Sequence, residues 1–108
     1  MKFASVMQLF PGCEAEYRRR HDELWPELAE HLDQCGISDY YIFLEPDSLQ
    51  LFAIFEAGDD FDPERVRSHP VMQRWWNHMA DIMETRTDSN EPLARPLTEM
   101  FYLAGSRA

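Results

Sequence analysis

Residues 2 to 9 alternate. Phe3, Ser5, Met7 and Leu9 fall on one side and Lys2, Ala4, Val6 and Gln8 on the other, the pattern of a strand covered on one face. Pro11 and Gly12 end it. From Cys13 to Cys35 the apolar positions Tyr17, Leu24, Trp25, Leu28, Leu32 and Cys35 take helical spacing, and Gly36 stands where a left-handed residue closes a helix. Pro26 lies inside this pattern. It cannot donate to the carbonyl of Asp22 and its ring crowds the preceding turn, so a kink or break is expected near Leu24, with the first half free to tilt separately.

Residues 39 to 44 and 49 to 56 are apolar, aromatic runs joined by Glu-Pro-Asp-Ser, which predicts a hairpin turning at residues 45 to 48. Asp62 before Pro63 marks a helix start, as does Ser68 or His69 before Pro70. A short helical turn therefore leads into a second helix running to about Met83. Its apolar positions are Met72, Trp75 or Trp76, Met79, and Ile82 or Met83. Residues 84 to 96 are polar and punctuated by proline, and a final strand is expected around Leu97 to Leu103.

Strand, helix, strand, strand, helix, strand is the split pattern of a ferredoxin-like α+β sandwich, βαββαβ, within one domain spanning residues 1–108. Helices cover one face of such a sheet. Aromatic and branched residues on both sides of the strands, Phe52 and Ile54 among them, argue that the other face is covered too, most simply in a homodimer packed sheet against sheet.

Composition narrows the function classes. The 108 residues suit one core, and 44% hydrophobic with 13% aromatic content is too rich for a disordered chain. No apolar run approaches the roughly 20 residues that span a bilayer, and the first ten residues lack the apolar core of a signal peptide, so a soluble cytoplasmic protein is expected. A net charge of −10 disfavours nucleic acid and anionic membranes as partners. Arg18, Arg19 and Arg20 are flanked by Glu14, Glu16, Asp22 and Glu23, the pattern of a solvated helix face. Cys13 and Cys35 read as free thiols, because opposite ends of one helix would hold them about 33 Å apart.

Gly-rich phosphate loops, Cys-x-x-Cys, His-Glu-x-x-His and Gly-x-Ser-x-Gly are all missing from the sequence, which leaves acid–base chemistry without a cofactor. His21 is the informative residue. In helical spacing it shares a face with Tyr17, Leu24, Trp25 and Leu28, which points the imidazole at the core or at an internal pocket. One reading makes it a core histidine satisfied by a backbone carbonyl. The other starts from the Tyr17 hydroxyl one turn away and from the surplus of aromatics in Tyr40, Tyr41, Trp75 and Trp76, which suit a sugar-sized pocket. Trp75 and Trp76 diverge by about 100° on a helix, so at least one is expected at a pocket edge or subunit contact. Strand alternation sends Tyr40 and Tyr41 to opposite faces, and spacing does not say which joins His21. His31 is expected near solvent, His69 before its proline, and no set of metal ligands stands out.

With these residues in view, the chain resembles the L-rhamnose mutarotases. The likeness rests on FASVMQL at 3–9, EYRRRHDELWPEL at 16–28, DYYIFL at 39–44, VMQRWW at 71–76 and EMFYL at 99–103, and is weaker at 84–96 and after Leu103. It implies a dimeric α/β-barrel type of ferredoxin-like fold and anomer exchange of L-rhamnose with no cofactor. It implies His21 as proton donor, and Tyr17, Tyr40, Trp75 and Trp76 as substrate contacts, choosing Tyr40 over Tyr41. Sugar ring opening needs a proton taken from the anomeric hydroxyl and one given to the ring oxygen, work within reach of a histidine near neutral pH. Other readings stay open: a mutarotase for another 6-deoxy sugar such as L-fucose, a small monooxygenase or haem-binding protein with His21 on iron, and a non-catalytic ligand-binding module.

Overall fold

The structure is a computed structural model, and it describes residues 1–106. In chain order the elements are β1 (Lys2–Gln8), α1 (Glu14–Asp22), α2 (Pro26–Gln34), β2 (Ile37–Glu45), β3 (Gln50–Ala57), α3 (Pro63–Arg67), α4 (Pro70–Met79) and β4 (Arg95–Pro96). The strands form one antiparallel sheet ordered β2-β3-β1-β4. This is the ferredoxin-like α+β architecture that the order of elements predicts.

The helix expected from Cys13 to Cys35 is two helices. Trp25 precedes a proline and is therefore held in an extended conformation (φ −65°, ψ 129°), so the chain leaves α1 after Asp22 and restarts with Pro26 at the first position of α2. Gly36 closes α2 at φ +84°, as expected of a left-handed cap. Because the two helices have separate axes, helical phase does not carry from one to the other. His31, expected near solvent, is instead buried, and its Nε2 lies 3.0 Å from the carbonyl of Val66. Both cysteines are free, although the single-helix distance argument does not apply across the break.

Inner and outer sheet faces follow from register and burial. Leu51, Ala53 and Ala57 of β3 are buried beneath the helices, while Phe52 and Ile54 face outward in line with Val6 and Ala4 of β1 and with Phe43 and Tyr41 of β2. On β2 the alternation changes phase. Ser38 pairs with Glu56 but Tyr41 pairs with Ile54, so two residues oppose Phe55, and Asp39 takes up the slack at φ +46°. Ile37 ahead of the bulge and Tyr40, Ile42 and Leu44 after it thereby all line the inner side.

The final strand is shorter than expected. β4 pairs with β1 only at Arg95 and Pro96, and after the bond from Leu97 N to Ala4 O the chain carries no regular structure through residue 106. β1 begins at Lys2, so only two residues beyond Ala4 remain as an edge, too little to template a strand through Leu103. Residues 84 to 93 instead form a small hairpin bridged at Thr85 and Pro92 and tied down by Asn90 to Asn77 and Glu91 to Arg67. α4 ends at Met79, short of Met83, but Ile82 in the turn that follows and Met83, bridged to Leu9, are both buried.

Leu9, Leu28, Leu51, Val71 and Met79 form the driest part of the core. Leu28→Ala removes a side chain that is 1% exposed and is expected to cost about 2–5 kcal/mol in a urea melt. Arg18→Ala, at a side chain 84% exposed, should stay within about 0.5 kcal/mol of the parent.

Candidate active site

One cleft of about 1150 Å³ lies between the helices and the inner sheet face. Tyr17, His21, Leu24, Met72, Trp75 and Trp76 line its helical side, and Phe3, Ser5, Tyr40, Ile42 and Phe55 its sheet side. Ser5 pairs with Ala53 in the middle of the sheet, and two small side chains there leave room above them that a Leu or Phe would fill.

α1 supplies Tyr17 and His21. Tyr17 and His21 are one turn apart and their rings stack at 4.3 Å between centroids. His21 Nδ1 lies 3.0 Å from the Tyr17 carbonyl oxygen. A carbonyl can only accept, so this bond places the hydrogen on Nδ1 and leaves Nε2 as the free nitrogen. Trp75 of α4 meets His21 edge-on at 5.4 Å and 90°, and Trp25 meets Trp75 the same way at 5.1 Å and 87°. Burial in this aromatic setting lowers the His21 pKa from its ordinary 6.5, while the Tyr17 carbonyl and Asp22 pull it back up. At pH 7 the imidazole is neutral.

The two readings of His21 therefore both hold in part: a backbone carbonyl satisfies one nitrogen, and the ring still lines the cleft. Tyr17 is buried and its phenol pKa is pushed well up, mainly by that burial and further by nearby Tyr40. Tyr40 keeps 45% of its surface, and desolvation of its phenol beside the cleft moves its pKa upward too. Both hydroxyls stay protonated and are available as hydrogen-bond donors.

Tyr40 lines the cleft and Tyr41 does not. Tyr40 stacks on Phe55 at 5.2 Å within a cluster that includes Phe3 and Phe61, while Tyr41 stacks on Phe43 on the outer face. The bulge at Asp39 sets this choice, and simple alternation did not contain it. Trp75 and Trp76 both line the cleft, the first buried and the second half-buried. A cavity of this volume accommodates side chains that diverge by a little over a quarter turn, so neither tryptophan is displaced to a separate surface. The sequence reading missed the Phe3–Phe55–Phe61 wall. Its signal was the inward parity of Phe3 and Phe55, which burial alone also explains.

Arg18 and Arg19 are solvated as expected, but Arg20 is not: its side chain is 12% exposed and reaches Glu16, Asp81 and the carbonyl of His78. Charge patterning places a cation on a helix, not the neighbour that buries it. Among the described residues no three His, Cys, Asp or Glu side chains converge in a way that could hold a metal ion, and no helix is long and apolar enough to cross a membrane.

A family model described as L-rhamnose mutarotase matches residues 2–103. The chain belongs to the L-rhamnose mutarotase family. An L-rhamnose mutarotase of Jannaschia sp. (strain CCS1) is 55% identical over 102 residues, covering 94% of this chain and 97% of the relative. One from Rhizobium meliloti (strain 1021) is 51% identical over the same shares of the two chains. The crystal structure of an L-rhamnose mutarotase from Formosa agariphila superposes with a TM-score of 0.87 at 36% identity, covering 96% of this chain and 99% of that one. Membership of the mutarotase family decides among the readings that the residues left open, in favour of a carbohydrate isomerase and against a haem protein or a non-catalytic module.

His21 is expected to titrate below 6.5 when its ring protons are followed by NMR across pH. With the folded pKa lowered, the unfolded chain takes the proton first as pH falls. The group therefore costs stability progressively below about pH 6.5, down to its folded pKa, and costs none above that window. A midpoint at or above 6.5 contradicts the aromatic burial described here.

Proposed function

We propose that the cleft interconverts the α and β anomers of L-rhamnopyranose, with His21 as the proton-transfer group and Tyr17, Tyr40, Trp75 and Trp76 as substrate contacts. The observation that carries this reading is the bond from His21 Nδ1–H to the Tyr17 carbonyl, which leaves Nε2 of a neutral imidazole at the cleft. The likeness to the mutarotases implies a proton donor at this position, but a neutral imidazole enters the cycle as a base.

Nε2 takes the proton from the anomeric hydroxyl. The electron pair of that O–H bond forms the aldehyde C=O as the bond from C1 to the ring oxygen breaks, and the ring oxygen takes the proton back from the imidazolium. Both oxygens are bonded to C1, so one nitrogen can serve both with little movement of the sugar. Rotation about the C1–C2 bond followed by the reverse steps delivers the other anomer. Tyr17 and Tyr40, held protonated, donate hydrogen bonds to sugar oxygens, and the tryptophan faces and the phenylalanine wall pack on the C–H surface and the 6-deoxy methyl group.

The outer sheet face supports homodimeric assembly in the same reading. Tyr41 and Phe43 are 55% and 57% exposed there, and Met100, Phe101, Tyr102 and Leu103 project from the domain at 69–88% exposure. Apolar surface of this kind marks an association site. A sugar substrate and a cytoplasmic setting complete the reading.

Saturation-transfer NMR on L-rhamnose should show accelerated anomer exchange with the wild-type chain and loss of most of that acceleration in His21→Ala, with circular dichroism unchanged. Undiminished exchange in His21→Ala overturns the assignment. Tyr17→Phe is expected to cost about 1–3 kcal/mol of transition-state stabilisation, the scale of one buried hydrogen bond. Across pH, kcat should fall on the acid side as His21 protonates below 6.5, because the base is then occupied. Light scattering should give twice the chain mass for the wild type and the single mass for Phe43→Asp.

A further inference from the structure

Arg20 is largely covered where its neighbours Arg18 and Arg19 are solvated, 12% exposed against 84% and 55%, and the mechanism gives it nothing to do. Each of its three guanidinium nitrogens meets a protein acceptor. Nε donates to Glu16 Oε2 at 2.7 Å within α1, and Nη1 and Nη2 reach the two oxygens of Asp81 at 2.9 and 3.4 Å. Nη1 also donates to the carbonyl of His78 at 2.5 Å, in the last turn of α4, where the free carbonyls make a cation favourable.

This set of bonds matters because of what else holds α1. The helix has nine residues, too few to be stable alone, and Tyr17 is the one side chain it buries. It nevertheless carries both Tyr17 and His21, and the wall they face, Trp75, belongs to α4. The break before Pro26 removes any stiffness that α2 could lend. The orientation of the His21 ring over the cleft thus depends on how α1 is fixed to α4, and Arg20 is the charged side chain that spans the two.

We propose that Arg20 is a positioning residue for anomer exchange: through Asp81 and the His78 carbonyl it clamps α1 to the end of α4 and holds His21 Nε2 at the sugar. The proposal rests on the reading of His21 as the base. The planar fork is required, since a lysine presents one point charge and cannot bridge a carboxylate, a carbonyl and Glu16 together.

Two measurements test it, on Arg20→Met, Arg20→Lys and Asp81→Asn in the full chain. Kinetically, Arg20→Met should lower kcat by about 10²-fold, the scale of a misplacement near 1 Å, with a much smaller rise in KM as Tyr17 shifts with the same helix. Arg20→Lys should fall between Met and wild type. Asp81→Asn should lower kcat less than Arg20→Met does, and should add nothing in the Arg20→Met background. Spectroscopically, the His21 ring-proton shifts, set by the edge-on Trp75 ring, should move towards random-coil values in Asp81→Asn whether or not the sugar is turned over. Asp81→Asn retains the Glu16 and His78 contacts, so it carries the test if Arg20→Met fails to fold. Wild-type kcat and unmoved His21 shifts in Asp81→Asn, even with a lowered Tm, make Arg20 a stability residue and overturn the clamp. A wild-type chain without exchange overturns the mutarotase reading instead, and the shifts still decide the clamp.

Discussion

Pro26 has no N–H, and the placement of the groups that line the cleft depends on that. A continuous helix from Cys13 to Gln34 would have fixed Tyr17 and His21 in phase with Leu28 and sent all of them into one dry core. Instead the residue before the proline is driven extended, α2 restarts on its own axis with Leu28 buried, and α1 is released to lie beside a cavity. The cost is a nine-residue helix with little apolar grip. Its position is recovered by polar contacts, Arg20 to the end of α4, and by stacking, Tyr17 on His21 and His21 against Trp75.

A second local device works on the sheet side. Asp39 in the left-handed region shifts the alternation of β2 by one residue, so that Tyr40 turns inward onto Phe55 while Tyr41 joins Phe43 outside. One strand thus supplies an aromatic donor to the cleft and an apolar pair to the outer face. Asp tolerates the left-handed conformation better than most side chains, which is why a bulge can sit there without glycine.

How much of this was legible in the sequence differs by kind of signal. Period and punctuation carried the order of elements, the caps at Gly36 and Pro63, and the inward face of α1, because each is set by residues within one turn or one strand. His31 escaped because its phase was counted across the Pro26 break. Arg20 escaped because its partner Asp81 is 61 residues away, beyond any local pattern. The last strand was overread: Leu97 to Leu103 has strand composition, but composition supplies no edge to pair with, and β1 starts too early to offer one. Family likeness points to Tyr40 over Tyr41; that Tyr40 is the one lining the cleft has a physical cause in the bulge, a tertiary event.

In the proposed mechanism, burial of His21 has opposite effects on the two halves of proton transfer. A lowered pKa makes the neutral ring a weaker base towards the anomeric hydroxyl, and it makes the imidazolium a stronger acid towards the ring oxygen. For a shuttle that must receive and then release the same proton, this balance is useful only if the first step has help. In the same proposal Tyr17 and Tyr40 give it by donating hydrogen bonds to oxygens that gain negative charge, and desolvation keeps both phenols protonated. The low-dielectric aromatic wall that weakens the base also strengthens each of those bonds. On that proposal a single histidine serves both directions of an isomerisation whose substrate and product differ only in the configuration at one carbon.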